Sequence, residues 1–311
     1  MSDRFEYLEF GDEPARRRPA ARDVGRAADA ASGVWRIVEE IGGPGTRFGQ
    51  FHAPHGLAVD AQEHLYVADT GNHRVQRIAP NGDVLCIGRA GRDRGEFRRP
   101  LAVAVDGSGQ LYVADSENAR VQVLAPDGEP RRILGGFGGS AAQFRLPVAV
   151  AIAPDGDLLV VDQGNRRIAR WLARGYPIDI VARFGRSTEF VKPAAIAVGR
   201  SGRIYVADRG LRALLAFDAH LRFEGMIGAP GQFCHDPCAL ACGADETLFV
   251  ADGVADQIVI LGPDRLRAIV VQTAAGEPLV DPAGIAVAPS GSVYVADTGR
   301  HRLLRMERQS A

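Results

Sequence analysis

The side chains best suited to chemistry in this chain are a few thiols and imidazoles. Cys234, His235, Asp236 and Cys238 lie close together with Cys242 just beyond, and His52 and His55 form a second pair far upstream. Imidazole nitrogens and thiolates are the donors that borderline transition metals prefer, so His52, His55, Cys234, His235 and Cys238 are the candidate ligands. Cys234 and His235 are also candidate reactive groups. The spacing argues against one compact centre: neither Cys-x3-Cys step matches the Cys-x2-Cys of zinc ribbons, and an extended run from Cys238 to Cys242 holds those thiols about 13 Å apart. The second available chemistry is anion binding. Arg92, Arg94, Arg98, Arg99, Arg120, Arg145, Arg166, Arg167, Arg186, Lys192, Arg209 and Arg212 crowd the middle of the sequence. Lys192 is the sole lysine, so a compositional bias towards arginine accounts for part of that density.

Whether either set converges depends on the elements that carry it, and these announce themselves by repetition. Leu65-Tyr66-Val67-Ala68-Asp69 returns as Leu111–Asp115, Leu158–Asp162, Ile204–Asp208, Leu248–Asp252 and Val293–Asp297, with successive aspartates 44 to 47 residues apart. That period is the length of a four-stranded propeller blade. Prolines keep the same beat at Pro54, Pro100, Pro147, Pro193, Pro237 and Pro282. After each proline comes a strand of small residues such as Gly56-Leu57-Ala58, suited to the axis where six blades crowd together. The Tyr-Val-Ala strand is next, β-branched and aromatic as a half-buried pleated surface requires. A turn at Thr70-Gly71-Asn72 leads to a third strand, Arg74 to Ile78, and Pro80-Asn81-Gly82-Asp83 turns into a fourth, Val84 to Ile87. The repeated aspartates read as structural, placed to accept N–H bonds from the turn that follows.

A seventh proline would fall beyond the C-terminus, so the last unit stops after its third strand. Arg36-Ile37-Val38-Glu39-Glu40-Ile41 resembles the missing fourth strand and is expected to complete the sixth blade, leaving no open edge at the seam. The expected fold is all-β: a six-bladed β-propeller over residues 34–311, preceded by a tail over 1–33 that reads as disordered. Within the tail, Phe5, Tyr7, Leu8 and Phe10 form a candidate docking motif.

A net charge of −1 over 311 residues excludes a polyanion binder by bulk composition. No apolar run in the first 35 residues suits a signal peptide, and none elsewhere reaches the roughly 18 residues of a membrane helix. A cytoplasmic location and reduced cysteines are the expectation.

Pro54-His55-Gly56-Leu57-Ala58-Val59-Asp60, followed by Leu65–Asp69 and Asn72-His73-Arg74-Val75, resembles the NHL repeat. The resemblance covers roughly residues 36–306. It is sharp in blades one to three, weak in blades four and five, and returns in blade six as Arg300-His301-Arg302-Leu303. It implies a platform for protein or RNA, with a minority of enzymes. In the related enzymes a channel metal is held by three histidines in the amidating lyase, or by carboxylates and amides in lactonase-like and strictosidine-synthase-like propellers. Here the residues after the prolines are His55, Leu101, Val148, Ala194, Cys238 and Ala283, of which only two are metal donors.

The expectation is therefore a non-catalytic protein-binding platform with no cofactor, whose contact surface is the basic top face of blades two to four. RNA binding by that face and a metal-dependent lyase or hydrolase are the alternatives. RNA is disfavoured because base stacking needs aromatics, which are scarce among the top loops.

Overall fold

The computed structural model describes residues 35–264, 268–271, 273–274 and 277–308. The expected tail, with its Phe5, Tyr7, Leu8 and Phe10 motif, lies outside the described residues. Blade one comprises Pro54–Val59, Leu65–Asp69, Arg74–Ile78 and Val84–Ile87, hydrogen-bonded in that order as one antiparallel sheet. Five more such sheets begin at Pro100, Pro147, Pro193, Pro237 and Pro282. The sixth consists of Pro282–Val287, Val293–Asp297 and Arg302–Arg308, closed by the N-terminal strand Trp35–Ile41 running antiparallel to Arg302–Arg308. The expected closure is thus observed.

The inner strands explain their small residues. A Cβ on Gly56 would lie 2.5 Å from the Cα of Ala102 in the next blade, and one on Gly284 would lie 1.9 Å from the His55 carbonyl oxygen. Between blades, Phe51, Phe97, Phe144 and Phe190, each three residues before a repeat proline, are fully buried. Burial of each stabilises the ring by roughly 1.5–3 kcal/mol. Leu279 holds the same place before blade six, and Cys234 before blade five.

Asn81-Gly82 behaves differently from a hairpin turn with two left-handed residues: only Gly82 has positive φ (+89°), and the turn closes with Gly82 N–H donating to Ala79 O. The turn after each second strand is a single 3-10 turn in blades one, two, three and six, ended by a left-handed residue: His73, Ala119, Arg166 and His301. Loops before the inner strands and those after the second strands share the top face. No helix among the described residues is long and apolar enough to cross a membrane.

Candidate functional site

The repeated aspartates are the hubs on which the top loops hang. All six are fully buried. In blade one Asp69 Oδ1 accepts the His52 amide at 2.8 Å, while Oδ2 accepts from Asn72 (2.9 Å), Arg74 Nε (2.7 Å) and Gln76 (3.0 Å). Blade two repeats the set with Asp115, Arg98 N–H, Asn118, Arg120 and Gln122. Arg167 and Arg302 serve Asp162 and Asp297 in the same way. Each of these repeat arginines pairs with the aspartate of its own blade. Antiparallel register is the reason, since it sets Asp69 opposite Arg74 and Asp115 opposite Arg120. Blades four and five have no such arginine, and their aspartates are satisfied by backbone N–H groups: Val191, Lys192 and Leu211 on Asp208, and His235, Asp236 and Ala255 on Asp252.

A second set of bonds links blade to blade, and the sequence reading missed it. The residue after each aspartate reaches the proline carbonyl of the next inner strand: Thr70 to Pro100, Ser116 to Pro147, Gln163 to Pro193 and Thr298 to Pro54, at 2.6–3.0 Å. Blade five has Gly253 there, and Cys238 Sγ donates to Pro282 O instead, at 3.0 Å. In blade four the position is Arg209, which forks onto the Asp236 carboxylate of blade five. The fourth residue after the aspartate adds a latch in three places. His73 Nδ1 accepts the Arg99 amide, His301 Nδ1 the Ala53 amide and Asp256 Oδ1 the Asp281 amide, at 2.8–3.0 Å. The three latched residues are the ones held left-handed before a proline, at φ 47–48°. The signal was present in two columns of the repeat, Thr/Ser and His, whose partners lie in another blade.

Among the candidate ligands, His55 and Cys238 open the inner strands of blades one and five directly after the repeat prolines, and His52, Cys234 and His235 lie in the loops before them. His55 is crowded by protein: burial, then the guanidinium charges of Arg99 and Arg209, push its pKa down to about 4. Burial pushes the Cys238 thiol up to about 12. Cys234 is 2% exposed, packed where the other blades place a phenylalanine, and its thiol is likewise pushed up to about 12 by burial and by Asp252 and Asp236. A thiol held protonated is a poor nucleophile and a poor ligand. His52 stacks edge-on against His301, and the exposed His235 leans on Asp252 at 3.5 Å. Among the described residues no three His, Cys, Asp or Glu side chains are grouped to hold a metal ion, so the residues present do not fit the channel metal of the related enzymes.

The twelve basic candidates divide evenly. Arg120 and Arg167 are buried in ion pairs, and Arg209 is committed to Asp236. Arg94 donates to the Pro130 and Arg131 carbonyls, while Arg98 and Arg99 share Glu117 at 3.6 and 3.3 Å. Arg92, Arg145, Arg166, Arg186, Lys192 and Arg212 are exposed, with no carboxylate partner among the described residues. Apart from Arg92, these stand on the top loops of blades three and four. Phe137 (64% exposed) and Val191 (46%) lie in the same loops.

The fold defines a six-bladed β-propeller. A model of the NHL repeat matches residues 51–78, 97–124 and 279–306, which are blades one, two and six; these are also the three blades entered through a latched, left-handed residue. The chain is an NHL-repeat propeller. No curated protein matches its sequence. Similar solved structures include a virginiamycin B lyase from Staphylococcus aureus (12% identity, TM-score 0.60, covering 89% of each chain). A gluconolactonase from Xanthomonas campestris has 15% identity and TM-score 0.64, over 89% of this chain and 98% of that one. A chain of the nidogen/laminin complex has 19% identity and TM-score 0.62, over 75% and 84%. At these identities the likeness is one of fold.

Proposed function

We propose that this propeller is a non-catalytic binding platform, and that the top face of blades three and four receives an acidic protein segment. One observation carries the reading: Arg145, Arg166, Arg186, Lys192 and Arg212 are exposed and unneutralised in one sector, while the arginines of the repeat positions in blades one, two, three and six are locked in ion pairs with buried aspartates. Unpaired surface charge of one sign steers and selects partners of the other. Phe137 and Val191 supply apolar contact area within the patch.

The test is fluorescence anisotropy with an oligo-glutamate peptide and a single-stranded oligouridine, on the native chain and on Arg145→Glu/Arg166→Glu/Arg212→Glu. Saturable peptide binding that the triple variant loses supports the proposal. Binding of oligouridine alone would favour RNA as the ligand, and binding unchanged in the variant would remove this face from consideration.

A second reading, chemistry at the channel mouth, is favoured by one arrangement: His55 held neutral beside Arg99 and Arg209, with Asp281 raised by its burial nearby. A neutral imidazole beside two cations offers a nitrogen lone pair, a base of carboxylate strength, to an anionic substrate. Turnover of a lactone or cyclic ester that is lost in His55→Asn would favour this reading over the platform.

A further inference from the structure

The loops that enter the six inner strands take two arrangements, and one column of the repeat decides which. Where the fourth residue after the aspartate of the preceding blade is an acceptor, it binds the amide just before the next proline and holds that residue left-handed: His301 on Ala53, His73 on Arg99 and Asp256 on Asp281. Where the column holds Ala119, Arg166 or Arg212, the residue before the proline is not left-handed. Its amide donates instead to the aspartate of its own blade: Leu146 to Asp162, Lys192 to Asp208 and Asp236 to Asp252, at 2.9–3.1 Å. Blade three makes this second arrangement with its Arg167–Asp162 pair in place, so the matching pairs of Arg74 and Arg120 leave it open to blades one and two.

We propose that His73 and His301 form an acid-sensitive switch that moves the entries of blades one and two from the first arrangement to the second. Each ring accepts its amide through a bare Nδ1. A proton placed there turns the acceptor into a second donor facing the amide, and the position then lacks an acceptor just as Ala119 and Arg166 do. Imidazole is the side chain that makes this change near neutral pH. Release also relieves Ala53 and Arg99, because a non-glycine residue before a proline disfavours the left-handed region.

Among the described residues no carboxylate pairs with either ring to hold it charged in the latched state. The charged groups beside His73 are Arg98 and Arg99 of blade two, which share Glu117, and Asp69 and Arg74 of its own blade, which pair with each other. Beside His301 stands His52 of blade one, ring to ring at 5.3 Å, so a second proton there adds repulsion across the seam. On its own blade Asp297 is paired with Arg302, and Arg300 with Glu277. Blade one is thus flanked by both latches. Arg145, Arg166, Arg186, Lys192 and Arg212 belong to neither, so the inference does not depend on the binding proposal.

The full chain is titrated from about pH 8 to about pH 5 by nuclear magnetic resonance, following the imidazole nitrogens of His73 and His301 and the Cα and Cβ chemical shifts that report backbone conformation. Ala53 and Arg99 are expected to lose their left-handed shifts over the same interval in which the two Nδ1 atoms gain protons. Asp281 keeps its own, because the oxygen of Asp256 that holds it can accept whether or not the carboxyl is protonated. In His73→Asn/His301→Asn the side-chain oxygen supplies an acceptor that does not titrate, asparagine tolerates the left-handed backbone of both positions, and Ala53 and Arg99 stay left-handed throughout. In His73→Ala/His301→Ala they lack the left-handed shifts at both ends of the titration, as Leu146 does beside Ala119. Rings that protonate while Ala53 and Arg99 stay left-handed, rings that remain neutral down to about pH 5, or an acid transition that survives in the Asn variant would each overturn the proposal. A change shared by Asp281 and by the buried Val67 and Val113 would mean general unfolding and would overturn it as well.

Discussion

Arg166 and Arg167 are adjacent in sequence and opposite in role, and separating them tests the reasoning about the top face. Arg167 is buried; its Nε meets Asp162 at 3.1 Å and its terminal nitrogens donate to the carbonyls of Gly139, Ser140 and Gln143. Arg167→Leu keeps the aliphatic bulk but leaves Asp162 buried without its cation and three carbonyls without donors. Breaking one side of a buried pair costs about 3–5 kcal/mol. For a cooperative unit of this size 1 kcal/mol corresponds to roughly 2 °C, so the melting temperature should fall by about 6–10 °C. Arg166 is exposed with no carboxylate partner among the described residues, and its left-handed φ of 52° is as costly for glutamate as for arginine. Arg166→Glu should therefore change stability by less than about 0.5 kcal/mol. It should instead weaken oligo-glutamate binding several-fold, mostly through a slower and less salt-sensitive association. Calorimetry and anisotropy on the two variants read both quantities. A melting temperature equally depressed in both, or acidic-peptide binding undisturbed by Arg166→Glu, would refute the division of the arginines into structural and free.

Other consequences are open to measurement. The pKa of His55 is about 4 in the fold, below the 6.5 of a free imidazole, so between those values the unfolded chain holds a proton that the folded one does not. Its contribution is complete above about pH 6.5 and is lost as pH falls towards 4, by up to about 3 kcal/mol. Asp281, raised by burial, acts in the opposite sense and offsets part of the loss. Urea midpoints at pH 7 and 4.5 should therefore converge in His55→Asn. Thr298→Val removes the donor to the Pro54 carbonyl at the ring seam; it should destabilise by about 1–3 kcal/mol, measured by chemical denaturation. Cys234 and Cys238 should alkylate far more slowly in the native protein than in denaturant, because burial holds both thiols protonated; equal rates would contradict their placement.

The architecture was legible because the aspartate and proline columns recur in register, and a period of that length has few physical realisations. Closure of blade six by a strand from Arg36 to Ile41 followed from the same register, and the structure extends that strand by Trp35. The chemistry was harder to read. Cys234 looked like a reactive oddity beside His235, yet its column is Phe51, Phe97, Phe144, Phe190 and Leu279, and the structure gives it their buried place. Thr70, Thr298, His73 and His301 went unassigned because each serves the next blade, a relation that exists only once the ring is closed. The basic face was half legible: the string of arginines is visible, but nothing local distinguishes one facing its own aspartate from one facing water.

The single lysine provides the most direct test of the central claim. Lys192 lies within the free basic sector, and its acylation rate can be followed by mass spectrometry without any mutation. If the top face of blades three and four is the binding surface, saturating oligo-glutamate should slow modification of Lys192 several-fold, and Arg145→Glu/Arg166→Glu/Arg212→Glu should abolish that protection. An acylation rate unchanged when the ligand is demonstrably bound would place the binding surface elsewhere and contradict the account.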